Sequence, residues 1–402
     1  MFWKKKTSGV ITDRLEIEKL LTNNVEEIIG VEKLRKKLFS GRKLRIKFGV
    51  DVTRPDIHIG HAVGLRKLRE FQKLGHTVIF LIGDATTRIG DPSGRDKTRP
   101  ILTEKEIQKN SKTYIAQVEK ILDTDKIEIR HNSEWFDKMS MFDFIKLLTF
   151  VTHSQIINRE AFQKRIKEGK EIFAHELIYP ILQGYDSVVL KADAAVHADQ
   201  LFNEHFGRMY QEKFKQEPQS IITVSTLVGT DGKNKMSKSL DNYIGTTDNS
   251  DNMFGKIMSI PDNIILNYFK MATDVSIEEI NKIKTKLKNG ANPKDIKIIL
   301  AEEIVKTYHG EKEAKKAKEN FINTFTEDGV PENIKEIITK KGTNIYDAVS
   351  ELVKSKTDLR RLINDGAVSE VNGNKINNIY FRIEKDTVLK IGKRRFLKIK
   401  VK

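Results

Sequence analysis

Two short stretches hold the residue types that phosphate chemistry needs. The first, "DVTRPDIHIGH" (51–61), sets His58 and His61 on either side of Gly60, just ahead of a run with helical periodicity. The second, "GKNKMSKSLDN" (232–242), gathers Lys235, Ser237, Lys238 and Ser239 in what reads as a loop. Three uses of the histidine pair compete. Metal binding is disfavoured, because the chain's other histidines are scattered with no acidic partner at ligand spacing. A structural pair accounts poorly for the glycine between them at a strand-to-helix junction. Phosphate handling fits best. Helix N-terminal amides attract anions, a glycine lets a group approach the backbone, and imidazole N–H groups donate to phosphate oxygens as charge builds. The lysine-rich stretch would be only a solvated turn by itself; beside the histidines it offers cations to the same oxygens.

Those residues need a scaffold. Leu44, Ile46, Phe48 and Val50 alternate with other residues, which predicts a strand. Ala62, Leu65, Leu68, Phe71 and Leu74 recur at helical spacing until Gly75, and the unbroken apolar run Thr77–Ile82 suits a strand buried on both faces. Strand, helix, strand at this spacing is a βαβ unit. A second unit is read from "SVVL" (187–190) as a strand, Leu201–Phe214 as a helix and "SIITV" (220–224) as a strand. The expected fold is α/β, with a doubly wound, Rossmann-like parallel-sheet catalytic domain over 41–230. An N-terminal helical segment (1–40) precedes it. A lysine loop and helical domain (231–335) and a small α+β domain (336–402) follow. In the last, Thr357 is the expected cap of a helix, "VNGN" (371–374) signals a hairpin, and "LKIKVK" (397–402) reads as a strand with a basic face.

Composition narrows the partners. With 72 Lys and Arg against 56 Asp and Glu, the formal charge is +16, which favours a polyanion. Cysteine is absent, which removes disulfides, a thiolate nucleophile and cysteine-ligated zinc. No apolar run is long enough for a bilayer span, and "MFWKKKTSG" lacks the apolar core of a secretory signal. A cytoplasmic protein without membrane or DNA partners is expected.

Together, His58-Ile59-Gly60-His61 and the five residues Lys235–Ser239 resemble the two signatures of class I aminoacyl-tRNA synthetases. In "IYPILQGYDSVVL" (178–190), Tyr179, Gln183 and Asp186 share one helical face. Read with those signatures, this segment resembles the substrate helix of the tyrosyl-tRNA synthetases, in their longer-chain bacterial form. The resemblance implies that Tyr179, Gln183 and Asp91 hold the substrate ammonium and that Asp186 accepts the phenol hydrogen. It also implies Thr86 and Gln200 against the amino acid, and Asp199 on the ribose. Thr53, His58, His61, Lys235 and Lys238 are the implied catalytic group around the phosphates, with Asp51 and Gly60 in the nucleotide loop. Arg95 and Arg99, in "IGDPSGRDKTR", are implied contacts to ATP phosphates or the tRNA end. Residues 341–402 resemble a small RNA-binding domain, implying Arg360, Arg361, Lys393, Arg394 and Arg395 as tRNA contacts.

The implied activity is two-step attachment of L-tyrosine to tRNA(Tyr) by a homodimer, with ATP as substrate, Mg²⁺ accompanying it, and no metal ligand set of the protein's own. Three positions depart from the family pattern. Val196 and His197 stand where a glycine pair is usual, Val52 replaces a proline, and Lys47 occupies the place of a tyrosine that reaches the phenol in many relatives. The first departure leaves room for an RNA-binding paralogue with an impaired nucleotide loop. The tryptophanyl enzymes, which share both signatures, are the nearer alternative but lack the Tyr-Gln-Asp face.

Overall fold

The apolar runs become a six-stranded sheet. Its strands are β1 (Val25–Ile29), β2 (Arg45–Val50), β3 (Thr77–Ile82), β4 (Ile127–His131), β5 (Ala194–His197) and β6 (Ser220–Val224), in the order β1-β6-β5-β2-β3-β4. A computed structural model describes residues 9–53, 56–91, 102–326, 334–353, 355–371, 373–392 and 395–402. Five of the strands run parallel, and β1 joins β6 antiparallel at one edge. β3 is buried along nearly its whole length, as an unbroken apolar run between neighbours on both sides requires.

Within the N-terminal helical segment, helices Arg14–Thr22 and Val31–Phe39 flank strand β1. Its burial does not alternate, Glu26 and Glu27 being exposed in succession, so "VEEII" carries little strand signal of its own; pairing with β6 supplies the order. A correction concerns 187–190. These residues are not a strand; they finish the helix Ala174–Val189, and the strand is the next apolar stretch, Ala194–His197. Valine in a helix costs a few tenths of a kcal/mol. Burying Val188 against Ile181, Phe206 and Tyr210 gains about 1.5–3 kcal/mol, so packing wins.

The chain forms two compact units. The first comprises residues 1–248 and 256–308 and holds the six-stranded sheet. The helix Ile59–Lys73, hereafter the histidine helix, runs from β2 to β3 and ends before Gly75, whose φ of +90° suits a residue without a side chain. Helix Ile265–Ala272 packs on it, and Arg66 ties the two by donating to the Ala272 carbonyl at 2.9 Å. In helix Pro293–His309, Ile296, Leu300, Ile304 and Tyr308 are buried, the face that their spacing predicts.

The second unit comprises residues 249–255 and 309–402. Strands β7 (Lys335–Thr339), β9 (Val368–Glu370), β11 (Thr387–Ile391) and β12 (Arg395–Val401) make a sheet in the order β7-β12-β11-β9. Strands β8 (Thr343–Asn344) and β10 (Arg382–Ile383) pair separately. Ile345, Val349, Leu359, Ile363, Leu389, Leu397 and Ile399 share its core. Helix Lys356–Asn364 is capped by Ser355, whose side chain accepts from the Asp358 N–H, and not by Thr357. Across the "VNGN" segment, whose Asn372 lies outside the described residues, Ser369 bridges Lys375 in antiparallel fashion.

Candidate active site

In chain order the parallel strands lie as 5-4-1-2-3, so connections leave in opposite directions between β2 and β5. Ligands of open α/β sheets bind at such a switch point, beyond the carboxyl ends of the strands. A cavity of about 700 Å³ opens there. Asp51, Thr53, His58, Gly60 and His61 reach it from β2, and Thr86 and Asp91 from the segment after β3. Tyr179, Gln183 and Asp186 line it from helix Ala174–Val189, the slot helix. Asp199 and Gln200 follow β5, and Lys235 and Lys238 follow β6. Arg95, Arg99, Lys393 and Arg394 lie outside the described residues.

The histidines build their own helix start. His58 is the N-cap: its Nδ1 accepts the His61 backbone N–H at 3.3 Å, and His61 Nδ1 accepts the His58 N–H at 3.4 Å. The rings stack with centroids 3.6 Å apart. With both Nδ1 atoms accepting, each neutral ring carries its proton on Nε2, as a donor. Burial, with His61, Lys238 and Lys235 nearby, lowers the His58 pKa to about 2; His61, whose side chain is exposed, is lowered by the desolvation of its cavity-facing ring, to a lesser extent and partly opposed by Asp199. Both rings are therefore neutral donors at physiological pH. A Cβ on Gly60 would sit 3.0 Å from His58 Nδ1 and 3.3 Å from Met236 Cβ, so glycine is what lets the lysine loop close over the helix start.

In that loop, Met236 is buried and its N–H donates to the Leu227 carbonyl at 2.9 Å. Lys235 Nζ meets Asp199 Oδ2 at 2.8 Å, and Lys238 Nζ donates to the Asp56 carbonyl at 2.7 Å. Both cations thus lie beside the histidines, close enough for their charge to act on both rings.

Deeper in, polar side chains form a connected wall. Asp51 accepts from Tyr179 Oη and from Thr86 Oγ1, each at 2.9 Å. Asp186, 2% exposed, accepts from Trp135 Nε1 at 3.0 Å and from Asn132 Nδ2 at 3.5 Å. Burial pushes its pKa up to about 8 against the pull of Lys47, Trp135 and Asn132. Gln200 donates to Asp91 at 3.0 Å, and Arg159 pairs with the other Asp91 oxygen at 3.3 Å. At the altered glycine position, Val196 and His197 are buried at the end of β5. His197 Nδ1 accepts the Gln200 N–H at 3.0 Å, so the side chain braces the turn that carries Asp199 and Gln200.

The sequence reading missed Trp135, Asn132, Arg159 and Glu204. Only Lys47 gave a signal, as a lysine inside a strand of apolar residues demands a buried acceptor. In the second unit Arg360 and Arg361 are exposed, the latter paired with Asp358 at 2.9 Å. Arg395 donates to the Leu352 carbonyl. The basic face of β12 is partly neutralised, because Lys398 and Lys400 both pair with Glu336, at 3.0 and 2.6 Å.

A family model described as tRNA synthetases class I (W and Y) matches residues 40–326. The tyrosine–tRNA ligase of Thermotoga maritima is 46% identical over 387 residues, covering 95% of this chain and 96% of the relative. The chain belongs to the tyrosyl-tRNA synthetase family. The ligase of Carboxydothermus hydrogenoformans is likewise 46% identical, over 94% of this chain and 96% of its own. Among solved structures, the tyrosyl-tRNA synthetase of Archaeoglobus fulgidus, complexed with L-tyrosine, matches with a TM-score of 0.60. It is 22% identical and covers 76% of this chain and 100% of that one, a likeness of fold. A C-terminally truncated mitochondrial synthetase from Aspergillus nidulans matches with a TM-score of 0.63 at 22% identity, over 77% and 93% of the two chains. This member of the family is an enzyme whose class uses ATP as a substrate. Among the described residues, no helix is long and apolar enough to cross a membrane.

Proposed function

We infer that the protein attaches L-tyrosine to tRNA(Tyr) through tyrosyl-adenylate. One observation carries this reading: both phosphate-handling motifs and the Tyr179-Gln183-Asp186 face line a single cavity. The tyrosine carboxylate attacks the α-phosphorus of ATP, the bond to the bridging oxygen breaks, and pyrophosphate leaves. A hydroxyl of the terminal tRNA ribose then attacks the tyrosyl carbonyl and AMP leaves. No protein nucleophile is required; the site positions reactants and stabilises phosphate charge.

In this reading Asp186 accepts the phenol hydrogen, and a phenylalanine would leave it buried and unpaired. Tyrosyl-tRNA synthetases are the familiar case of such discrimination without editing, a property general to the family. Gln183, Tyr179 and Asp91 face the substrate ammonium, with Thr86 and Gln200 along its length, and Asp199 takes the ribose. His58 and His61 offer Nε2–H donors to the phosphates, with Thr53, Asp51 and Gly60 beside them. Lys235 and Lys238 leave Asp199 and Asp56 for the departing pyrophosphate. Arg95 and Arg99 are assigned to phosphates or the tRNA end.

Mg²⁺ arrives on the ATP phosphates; among the described residues no group of three or more His, Asp or Glu is placed to hold a metal alone. Residues 41–230 form the catalytic part, 231–335 supply the lysine loop that completes it and then, from about 246, a helical region on the anticodon side, and 336–402 bind RNA through Arg360, Arg361 and the basic tail. A second copy of the chain covers helix Met141–Leu148, where Met141 is 76% and Phe142 83% exposed. The setting is the cytoplasm.

The test is ATP–pyrophosphate exchange with tyrosine, phenylalanine or tryptophan. Exchange with tyrosine alone, abolished by Asp186→Ala, supports the reading. Exchange driven by tryptophan, or by none of the three, overturns it. Sizing with light scattering checks the dimer.

A further inference from the structure

Two buried charges under the slot have no part in the chemistry above. Lys47, in the middle of β2, is 1% exposed, and Glu204, in helix Leu201–Lys213, is 3% exposed. Lys47 Nζ lies 2.9 Å from Glu204 Oε2 and donates to Ser187 Oγ at 2.7 Å. That carboxylate oxygen also accepts from Gln219 Nε2 at 2.8 Å, while its partner oxygen accepts from Gln183 Nε2 at 3.0 Å. A buried ion pair adds little stability over apolar residues of the same volume, so stability alone does not account for its position.

The geometry has a directional consequence. A carboxylate only accepts, so Glu204 selects the NH₂ end of the Gln183 amide and turns its oxygen the other way. That oxygen takes one hydrogen from Asn203 Nδ2 at 2.7 Å and keeps a second lone pair. Asn203 Nδ2 also donates to Gln200 Oε1 at 2.7 Å, and Gln200 in turn donates to Asp91. One choice at Glu204 thus sets the amide orientations along the slot wall.

We propose that the Lys47–Glu204 pair is a positioning device for amino-acid selection: Glu204 fixes the Gln183 amide with its oxygen toward the substrate ammonium, and Lys47 supplies the positive charge that Asp186 faces. The inference rests on the tyrosine reading of the site. Around Asp186 the charged and titratable groups are Lys47 from β2 and Glu204 from its helix, with His197 of β5 behind them. Tyr179 stands on the same helix as Asp186, with Asp51 beyond it. Lys47 favours the ionised, hydrogen-bond-accepting form of Asp186; Glu204 opposes it.

The two partners therefore have effects of opposite sign, which a purely structural role does not. The full-length protein with Lys47→Met, with Glu204→Gln, or with both is assayed by pyrophosphate exchange from about pH 6 to 9.5, where kcat/KM reports groups of the free enzyme. Lys47→Met moves the acid limb of the tyrosine kcat/KM to higher pH and Glu204→Gln moves it lower, each by about half a unit or more. Each variant raises KM for tyrosine about tenfold at neutral pH and narrows the preference for tyrosine over phenylalanine, while KM for ATP changes by less than about twofold.

Lower melting temperatures with an unmoved acid limb and unmoved preference overturn the proposal. Should Lys47→Met fail to fold, Glu204→Gln decides alone: an unshifted or upward-shifted limb overturns it. Failure of the unmodified protein to exchange with tyrosine overturns the tyrosine reading and this inference with it. Normal exchange with unaffected variants overturns the inference only.

Discussion

Each imidazole of the His58–His61 pair accepts a backbone N–H through Nδ1, and the burial of His58 there decides how that ring answers to pH. In the unfolded chain imidazoles protonate near pH 6.5; in the fold the buried His58 does so at about 2 and the buried His76 at about 4. Between about pH 4 and 6.5 the unfolded state binds more protons, so stability rises with pH across that window and is lost on acidification through it. Urea midpoints at pH 7 and pH 5 check this, with the lower value expected at pH 5. In the same samples the C2–H resonances of His58 and His61 stay flat above about pH 5.5; a titration near 6.5 contradicts the pairing. Asp186 behaves oppositely. Pushed up to about 8, it is protonated at neutral pH in the free protein, so kcat/KM for tyrosine climbs until about pH 8, and Asp186→Asn flattens that limb. The histidine and lysine motifs were legible because each is contiguous. The carboxylate that receives Lys47 was not, because it lies in a helix far along the chain and looks there like any polar face.

Among elements, the slot helix and helix Leu201–Lys213 pack closely. A Cβ on Gly184 would lie 2.9 Å from the Phe206 backbone, and one on Gly207 would lie 2.6 Å from Ser187 Oγ. Two glycines thus bring Gln183 and Glu204 within hydrogen-bonding distance. Gly184→Ala gains about 1 kcal/mol of helix propensity. The contact with rigid backbone costs about 1–3 kcal/mol, so net destabilisation is expected, with KM for tyrosine raised several-fold. Thermal melts and exchange kinetics on one preparation check both effects. Regular periodicity made β3 and the histidine helix readable. The end of the slot helix was not, since "SVVL" suits a strand in isolation and only the packing of Val188 decides against it.

Over the whole molecule, the charge of +16 is distributed with compensation that composition hides. Glu336 holds Lys398 and Lys400, which leaves Arg360 and Arg361 as more accessible cations of the second unit. If they contact tRNA phosphates, Arg360→Ala/Arg361→Ala weakens tRNA binding about tenfold or more at moderate salt and lowers the slope of log K against log salt by about two. Adenylate formation is unaffected. Filter binding over a salt series measures the slope, and an unchanged slope removes both arginines from the interface. The parallel sheet was legible from its βαβ rhythm; the strand that closes its edge was not, because Val25–Ile29 makes sense only beside a partner met much later.

That closing strand has a consequence for synthesis. About 190 residues separate Ile29 from Ser220, the start of the strand it pairs with. At a translation rate of about 5–20 residues per second, it emerges roughly 10–40 s before its partner exists. Throughout that interval its backbone groups are open to any passing strand. Glu26 and Glu27, unremarkable in the finished sheet, would keep neighbouring nascent chains apart while it waits.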